Sequence, residues 1–332
     1  MAPLLLPPLS SFLILLSGLS LVAALYPTEI IALQDMQAEW GPQLDWYGTP
    51  SCSWAHLTCD ANLNVVVLSL SSNFLKGTIP DSIGNLVYLQ GLYMDRNALS
   101  GTIPASIGNI AHVNEITLYV NQLNGSIPST IGQLFALTLL DLSFNRLSGS
   151  LPGTLGNLLN LQQLNLNQNY LSGSIPSSIG NLVNLNPQGL YLMNNRLSGT
   201  LPDSIGNLVG LSGLYLYSNA LSGTIPETIG NLVNLQYLEL FNNTLSGSIP
   251  DSIYGLVNLF QLYLNDNQLT GTISDAIGSL TNLQYLWLYD NLLTGTIPKG
   301  ICNTFGPQLE GNLFSCPYPI CCGCGLNRLD CI

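Results

Sequence analysis

Residues Val209–Leu232 read VGLSGLYLYSNALSGTIPETIGNL, and the same line returns along the chain as VYLQGLYMDRNALSGTIPASIGNI at Val87–Ile110 and TNLQYLWLYDNLLTGTIPKGICNT at Thr281–Thr304. A fixed period of this length is the signature of a solenoid, in which each line is one coil stacked on the next. One asparagine marks the register: Asn73, Asn97, Asn121, Asn145, Asn169, Asn195, Asn219, Asn243, Asn267 and Asn291. These define ten repeats from about Val65 to Thr304. Every step is 24 residues except Asn169 to Asn195, which is 26 because Asn186 and Pro187 are inserted in LNPQGLYL.

Within each line the pattern LxxLxLxxN has a period of two, which suits a short strand whose leucines stack with those of neighbouring lines into one core. The asparagine has an interior polar role. Its amide can bond the backbone groups left free where the strand turns away, and stacked copies would form a ladder. The remainder, LSGTIPxxIGNL, carries Gly for tight turns and Pro to interrupt regular structure, so it is too short and too punctuated for a long helix.

These lines resemble plant-type extracellular leucine-rich repeats, LxxLxxLxLxxNxLSGxIPxxIGNL. The preceding segments IIALQDMQAEW (Ile30–Trp40) and CSWAHLTC (Cys52–Cys59) resemble that family's N-terminal cap. The resemblance covers about Glu29 to Thr304. It implies an α/β solenoid: a curved leucine-rich repeat superhelix with a parallel concave β-sheet, ten plant-type repeats and disulfide-bonded caps. Members of the family include ectodomains of receptor kinases, receptor-like proteins and polygalacturonase-inhibiting proteins.

The expected division is a signal peptide over 1–24, an N-terminal cap over 25–64, the repeats over 65–304 and a Cys-rich C-terminal cap over 305–332. No charged side chain occurs from Met1 to Thr28, and LILLSGLSLVAA ends in small residues with Val22 and Ala24 in processing positions. This predicts secretion into the cell wall or matrix, with cleavage before Leu25; a retained membrane anchor is the alternative. Cysteines of secreted chains are normally paired. Cys52 and Cys59 stand alone before the repeats and are expected to pair, whereas Cys302, Cys316, Cys321, Cys322, Cys324 and Cys331 allow fifteen pairings among themselves. The tail could also be read as a thiolate metal site, which an oxidising compartment disfavours.

Only 7% of residues are charged, with 18 acids against 6 Lys and Arg, a net charge of -12. Nucleic acid and anionic membrane both require clustered basic residues, so neither is an expected partner. The two histidines, His56 and His112, have no recognisable nucleophile beside them in the pattern, which argues against hydrolytic catalysis and leaves no implied cofactor. Glu115 and Asp141, on adjacent repeats, read as a solvated acidic face rather than a glycosidase pair. Asp266 and Asp290 share a column, but too few oxygen ligands accompany them for a calcium site.

The exposed x positions of LxxLxLxxN divide the concave face in two. Up to Asn167 the columns are mostly Ser, Thr, Asn and acid. From Tyr191 onward they carry Tyr215, Tyr217, Tyr237, Phe241, Tyr263, Tyr285, Trp287 and Tyr289, with Glu239, Asp266 and Asp290 among them. Each ring represents ~150–250 Å² of side chain, so the cluster is large enough to mark an interaction site. The expectation is a secreted recognition protein, monomeric when free, that binds a protein or peptide on the concave face of repeats six to ten, as an inhibitor or a co-receptor. A matrix or cell-wall protein binding carbohydrate is the alternative. A third reading follows from the LSGT and LSGS positions, whose Ser/Thr columns (Thr78, Thr102, Thr200, Thr224, Thr272, Thr296) form a hydroxyl array; some family members bind ice. Sequons at Asn124 and Asn242 predict glycans, the second at the margin of the aromatic face.

Overall fold

The computed structural model describes residues 25–187 and 189–315. The expected signal peptide over 1–24 and the cysteines from Cys316 to Cys331 therefore lie outside the described residues. Each repeat contributes one strand of two to five residues to a single eleven-stranded sheet. The sheet opens with an antiparallel pair, Leu57–Cys59 on Val65–Ser69, and runs parallel from there to Tyr285–Trp287. Pairing is in register repeat by repeat, so Leu214 lies opposite Leu238 and Leu238 opposite Leu262. The inward leucines of these strands are almost completely shielded from water.

After each strand the chain turns through a left-handed residue just before the marker asparagine. Ser72, Arg96, Val120, Phe144 and their counterparts through Asp290 all have φ between 51° and 58°. That conformation is costly for a side-chain-bearing residue, above all for the β-branched Val120, so something must hold it. The asparagine supplies the restraint. Asn169 is typical: the Leu147 N–H donates to its Oδ1 at 2.9 Å, and its Nδ2 donates to the Leu142 carbonyl at 3.0 Å and to the Leu166 carbonyl at 3.2 Å. One buried amide thus satisfies backbone groups of two coils.

The second half of each coil is a short strand followed, after a proline in nine of ten repeats and after Ser274 in the other, by a five-residue 3-10 turn such as Glu227–Asn231. Seven of these ten strands form a second parallel sheet, the first two, Lys76–Thr78 and Ala98–Ser100, pair with each other, and the last, Thr294–Thr296, pairs with Leu313–Ser315. Two further ladders stitch this outer side. Hydroxyls of the 3-10 turns donate to carbonyls one coil back, as Ser178 Oγ does to Gly153 at 2.6 Å. Exposed asparagines do the same, as Asn184 Nδ2 does to Leu159 at 2.7 Å and Asn258 Nδ2 to Val233 at 2.9 Å.

Helix Pro27–Leu44 covers the open end of the leucine core with Ala32, Leu33, Met36, Trp40 and Leu44. Behind it Trp46 stacks on Trp54 with ring centroids 4.8 Å apart, and Cys52 is bonded to Cys59. Glu39 Oε1 accepts from the Thr78 N–H at 2.7 Å and ties the helix to the first repeat. At the other end the ladder runs one rung further than the 24-residue period indicates. Asn312, 21 residues after Asn291, accepts from the Leu293 N–H at 3.0 Å and donates to the Leu288 carbonyl at 2.9 Å, above a buried Leu309. Cys302 is also disulfide-bonded.

The two-residue insertion is absorbed without loss of register. Asn186 N–H donates to Gln162, the Pro187 carbonyl accepts from the Ser212 N–H at 3.0 Å, and Leu190 still pairs with Leu164 and Leu214. No helix among the described residues is long and apolar enough to cross a membrane.

The two asparagine ladders should differ sharply in weight. Asn169→Ala strands a buried N–H and carbonyl and is expected to cost ~2–4 kcal/mol, whereas Asn184→Ala lets water replace the lost bond and should cost under ~1 kcal/mol. Denaturant titration of both variants, with hydrogen exchange at Leu147, checks this.

Candidate binding face

Because successive strands pair in register, side chains at equivalent x positions stand one above another along the sheet, ~4.8 Å apart. In repeats six to ten this brings the rings together. Tyr191 stacks on Tyr215 at 4.9 Å, Tyr215 continues to Tyr237 at 6.4 Å, and Tyr237 and Tyr285 each meet the edge or face of Phe260, at 6.0 and 5.4 Å. A parallel line starts at Tyr217, stacked on Phe241 at 4.4 Å, and passes through Tyr263 and Trp287, stacked at 4.0 Å, to Tyr289. Two chains of five rings therefore run side by side along the sheet.

Their exposure differs from the sequence expectation. Tyr263 is only 9% exposed, roofed by Trp287 on one side and edged by Phe241 on the other. Most of the others are half-buried, and Tyr285 is the most open at 36%. The rings shield one another because the strand spacing is close to their stacking distance. Phe260 belongs to the cluster although it lies just before its strand; its column otherwise holds polar residues such as Gln236 and Gln284, which hid it. Gly213 makes room for the first stack, since a Cβ there would lie 2.5 Å from the nearest atom of the Tyr215 ring.

Glu239 sits between the two chains. It pairs across the sheet with Tyr215 on one side and Tyr263 on the other, and has Tyr237 and Phe241 as strand neighbours on the same face. Burial raises its carboxyl above the ordinary value of 4.5. Burial also raises the phenols of Tyr191, Tyr215, Tyr217 and Tyr263, and the nearby Glu239 charge adds to each. Among the described residues nothing donates a hydrogen bond to this carboxylate.

The acids of the polar half are engaged. Tyr93 O–H donates to Glu115 at 2.7 Å, which with burial pushes the phenol up to about 12; burial is the larger cause. Asp95 accepts from Ser71 and Thr117, and Asp141 from Ser143 and Asn165. Glu115 and Asp141 are thus occupied in structural bonds. Asp266 and Asp290 stand apart from the rings' centre, in the left-handed position before the ladder asparagines, with Asn265 Nδ2 donating to Asp266 at 2.7 Å. Both lie near the Tyr289 phenol, which burial raises first and their charges raise further. No group of three or more His, Cys, Asp or Glu side chains among the described residues is arranged to hold a metal ion. The sequon residues Asn124 and Asn242 are exposed, Asn242 directly after Phe241.

Residues 188–245 and 214–269 match the family described as Leucine rich repeat, and residues 64–86, 88–110, 136–158, 160–182 and 282–304 match a second description of the same repeat. None of the curated proteins matches this chain. Among solved structures, the plant peptide hormone receptor RGFR1 in complex with RGF2 is similar over 77% of this chain at 38% identity and a TM-score of 0.73. The ectodomain of the Arabidopsis thaliana receptor kinase GASSHO1/SCHENGEN3, in complex with CASPARIAN STRIP INTEGRITY FACTOR 2, is similar over 89% at 33% identity and a TM-score of 0.77. A plant ice-binding protein is similar over 89% at 30% identity and a TM-score of 0.71. This chain spans 42% and 40% of the two receptor chains but 96% of the ice-binding protein.

The charge on Glu239 should be measurable as a cost. Its folded pKa lies above 4.5, so the folded state holds the proton more tightly than the unfolded chain. The penalty is complete above the raised pKa and disappears as pH falls through it towards 4.5. Glu239→Gln should accordingly raise Tm at about pH 7, with the gain vanishing near pH 4. Thermal melts of both proteins across that range provide the check.

Proposed function

The chain belongs to the leucine-rich repeat family, a recognition scaffold, and on that premise we propose that it binds an extended peptide, or an extended segment of a protein, along the two ring chains of repeats six to ten. The observation that carries this reading is the continuous aromatic surface from Tyr191 to Tyr289, laid out along the solenoid axis with an acid at its centre. Tyr and Trp serve such surfaces well because they are rigid and apolar with a polar tip. Mutual stacking accounts for part of the arrangement, at ~0.5–1.5 kcal/mol per pair. It does not account for the crowding of ten contacting rings into repeats six to ten, when Tyr93 and Tyr119 on the first half of the sheet join no stack among the described residues.

Similarity to receptors solved with peptide ligands supports a peptide as the ligand class. The remaining features of the proposal are an extracellular setting, removal of residues 1–24, a cap over 25–64, repeats over 65–304 and a Cys-rich end over 305–332. The disulfide between Cys52 and Cys59 suits an oxidising compartment. In that setting the chain would act by occupying its ligand, as an inhibitor or as a co-receptor.

A second reading has its own observation. On the outer flank one hydroxyl residue per repeat, from Thr78 to Thr296, is exposed at the same place in every coil, giving a regular array at strand spacing. The similarity to an ice-binding protein of matching length favours ice as what that array would meet.

Each reading has a distinguishing outcome. Selection of a linear peptide library on residues 25–332 is expected to yield binders whose affinity falls by ~2 kcal/mol or more, about 30-fold, in Trp287→Ala and is unchanged in Asn165→Ala. Equal affinity for wild type and a folded Trp287→Ala would overturn the aromatic-face proposal. If the hydroxyl array meets ice, the wild type will restrain ice recrystallisation, a combined Thr200→Lys and Thr224→Lys variant will not, and Trp287→Ala will behave as wild type.

A further inference from the structure

Glu239 is the one acid set into the aromatic surface, and its surroundings oppose its charge. Rings that flank a carboxylate take water from it, and their carbon atoms offer no hydrogen bond in return. The other acids of the same concave sheet are treated differently. Glu115 receives the Tyr93 hydroxyl, Asp95 receives Ser71 and Thr117, and Asp141 receives Ser143 and Asn165. At Glu239 the equivalent cross-strand neighbours are Tyr215 and Tyr263, and each is turned into a ring stack, with Tyr191 and Trp287 respectively. Tyr263 O–H lies instead 3.1 Å from Gln261 Nε2.

Among the described residues no Lys, Arg or His bonds to Glu239. Between Arg196 and Lys299 the chain contains no Lys, Arg or His, while the same span holds seven acids. Arg96 and Arg196 are placed over other rings, Tyr119 and Tyr170, at 5.4 and 4.6 Å. A cation arriving from outside would meet a carboxylate and the faces of several tyrosines together, and both attract it.

We propose that Glu239, flanked by Tyr215, Tyr237, Phe241 and Tyr263, is a subsite for a basic side chain of the peptide that lies on the aromatic face. Arginine fits best, because a planar guanidinium can rest on a ring while donating two parallel hydrogen bonds to one carboxylate. The subsite rests on the aromatic-face proposal and refines it: the rings hold the peptide, and Glu239 sets which residue must stand at its centre. A surface of rings alone would accept any apolar segment. A desolvated carboxylate rejects one, since an unpaired buried charge costs more than the apolar contact returns.

The test uses a random linear peptide library displayed on phage and selected on the secreted protein. Binders that depend on Trp287 are expected to carry Arg or Lys. For an Arg-containing binder, replacing Arg by neutral citrulline should weaken binding to wild type by about 10–100-fold, and by no more than about twofold to Glu239→Gln. Glu239→Gln retains the shape of the side chain and removes a half-buried charge, so the variant is expected to fold; circular dichroism checks that. Glu115→Gln, which alters an acid already bonded to Tyr93, should bind the Arg peptide as wild type does. Trp287-dependent binders that lack a basic residue, or citrulline analogues that bind wild type undiminished, would overturn the subsite and leave the aromatic face standing. Failure to obtain any Trp287-dependent binder would overturn both.

Discussion

Every coil of this protein turns on an asparagine amide that is buried or half-buried. The turn leaving each strand forces a left-handed residue and frees a carbonyl and an N–H in the interior, where an unpaired group costs about 1–3 kcal/mol. The asparagine side chain is long enough to reach both and short enough to have few rotamers to lose. Because its donors go to its own coil and to the coil before, each rung sets the height of the next. The ladder thereby becomes the ruler of the solenoid, from Asn73, which takes its place against Asn97, to Asn312 beyond the last full repeat.

The aromatic face is a consequence of that ruler. Rings on neighbouring strands can stack only if the strands remain in register and at a constant spacing, and the amide ladder on one edge of the sheet secures both. The insertion at Asn186 and Pro187 shows how strictly register is held: the Asn186 N–H keeps a bond to the coil before, the Pro187 carbonyl accepts from the coil after, and Tyr191 still falls opposite Tyr215. The same regularity on the outer flank aligns the hydroxyls from Thr78 to Thr296. One repeating constraint yields two ordered surfaces of different chemistry.

The concave face has an internal contrast. Its first half satisfies its own acids with hydroxyls and amides, and in that sense is finished. Its second half spends its side chains on ring contacts and leaves Glu239 without a hydrogen-bond donor among the described residues. Stability alone would favour a neutral residue at that place, which is the ground for centring the proposed subsite on Glu239.

The period, the strand positions, the buried leucines, the ladder asparagines and the Cys52–Cys59 pair could all be read from the chain, because each depends on local spacing repeated many times. The list of rings was also legible, since register in a solenoid follows from the period. Three things were not. Phe260 joins the cluster from outside the strand pattern, Tyr263 disappears beneath Trp287, and Asn312 forms a rung after an irregular step of 21 residues. The sequence by itself determined the coil, its stacking and the face on which each side chain stands, because a short-range pattern decides them. Only the tertiary structure decided which rings shield one another and which acid is left without a partner. Those depend on rotamers and on contacts across neighbouring coils, where a hydroxyl, an amide or a ring can each occupy the place beside a carboxylate and only one of them does.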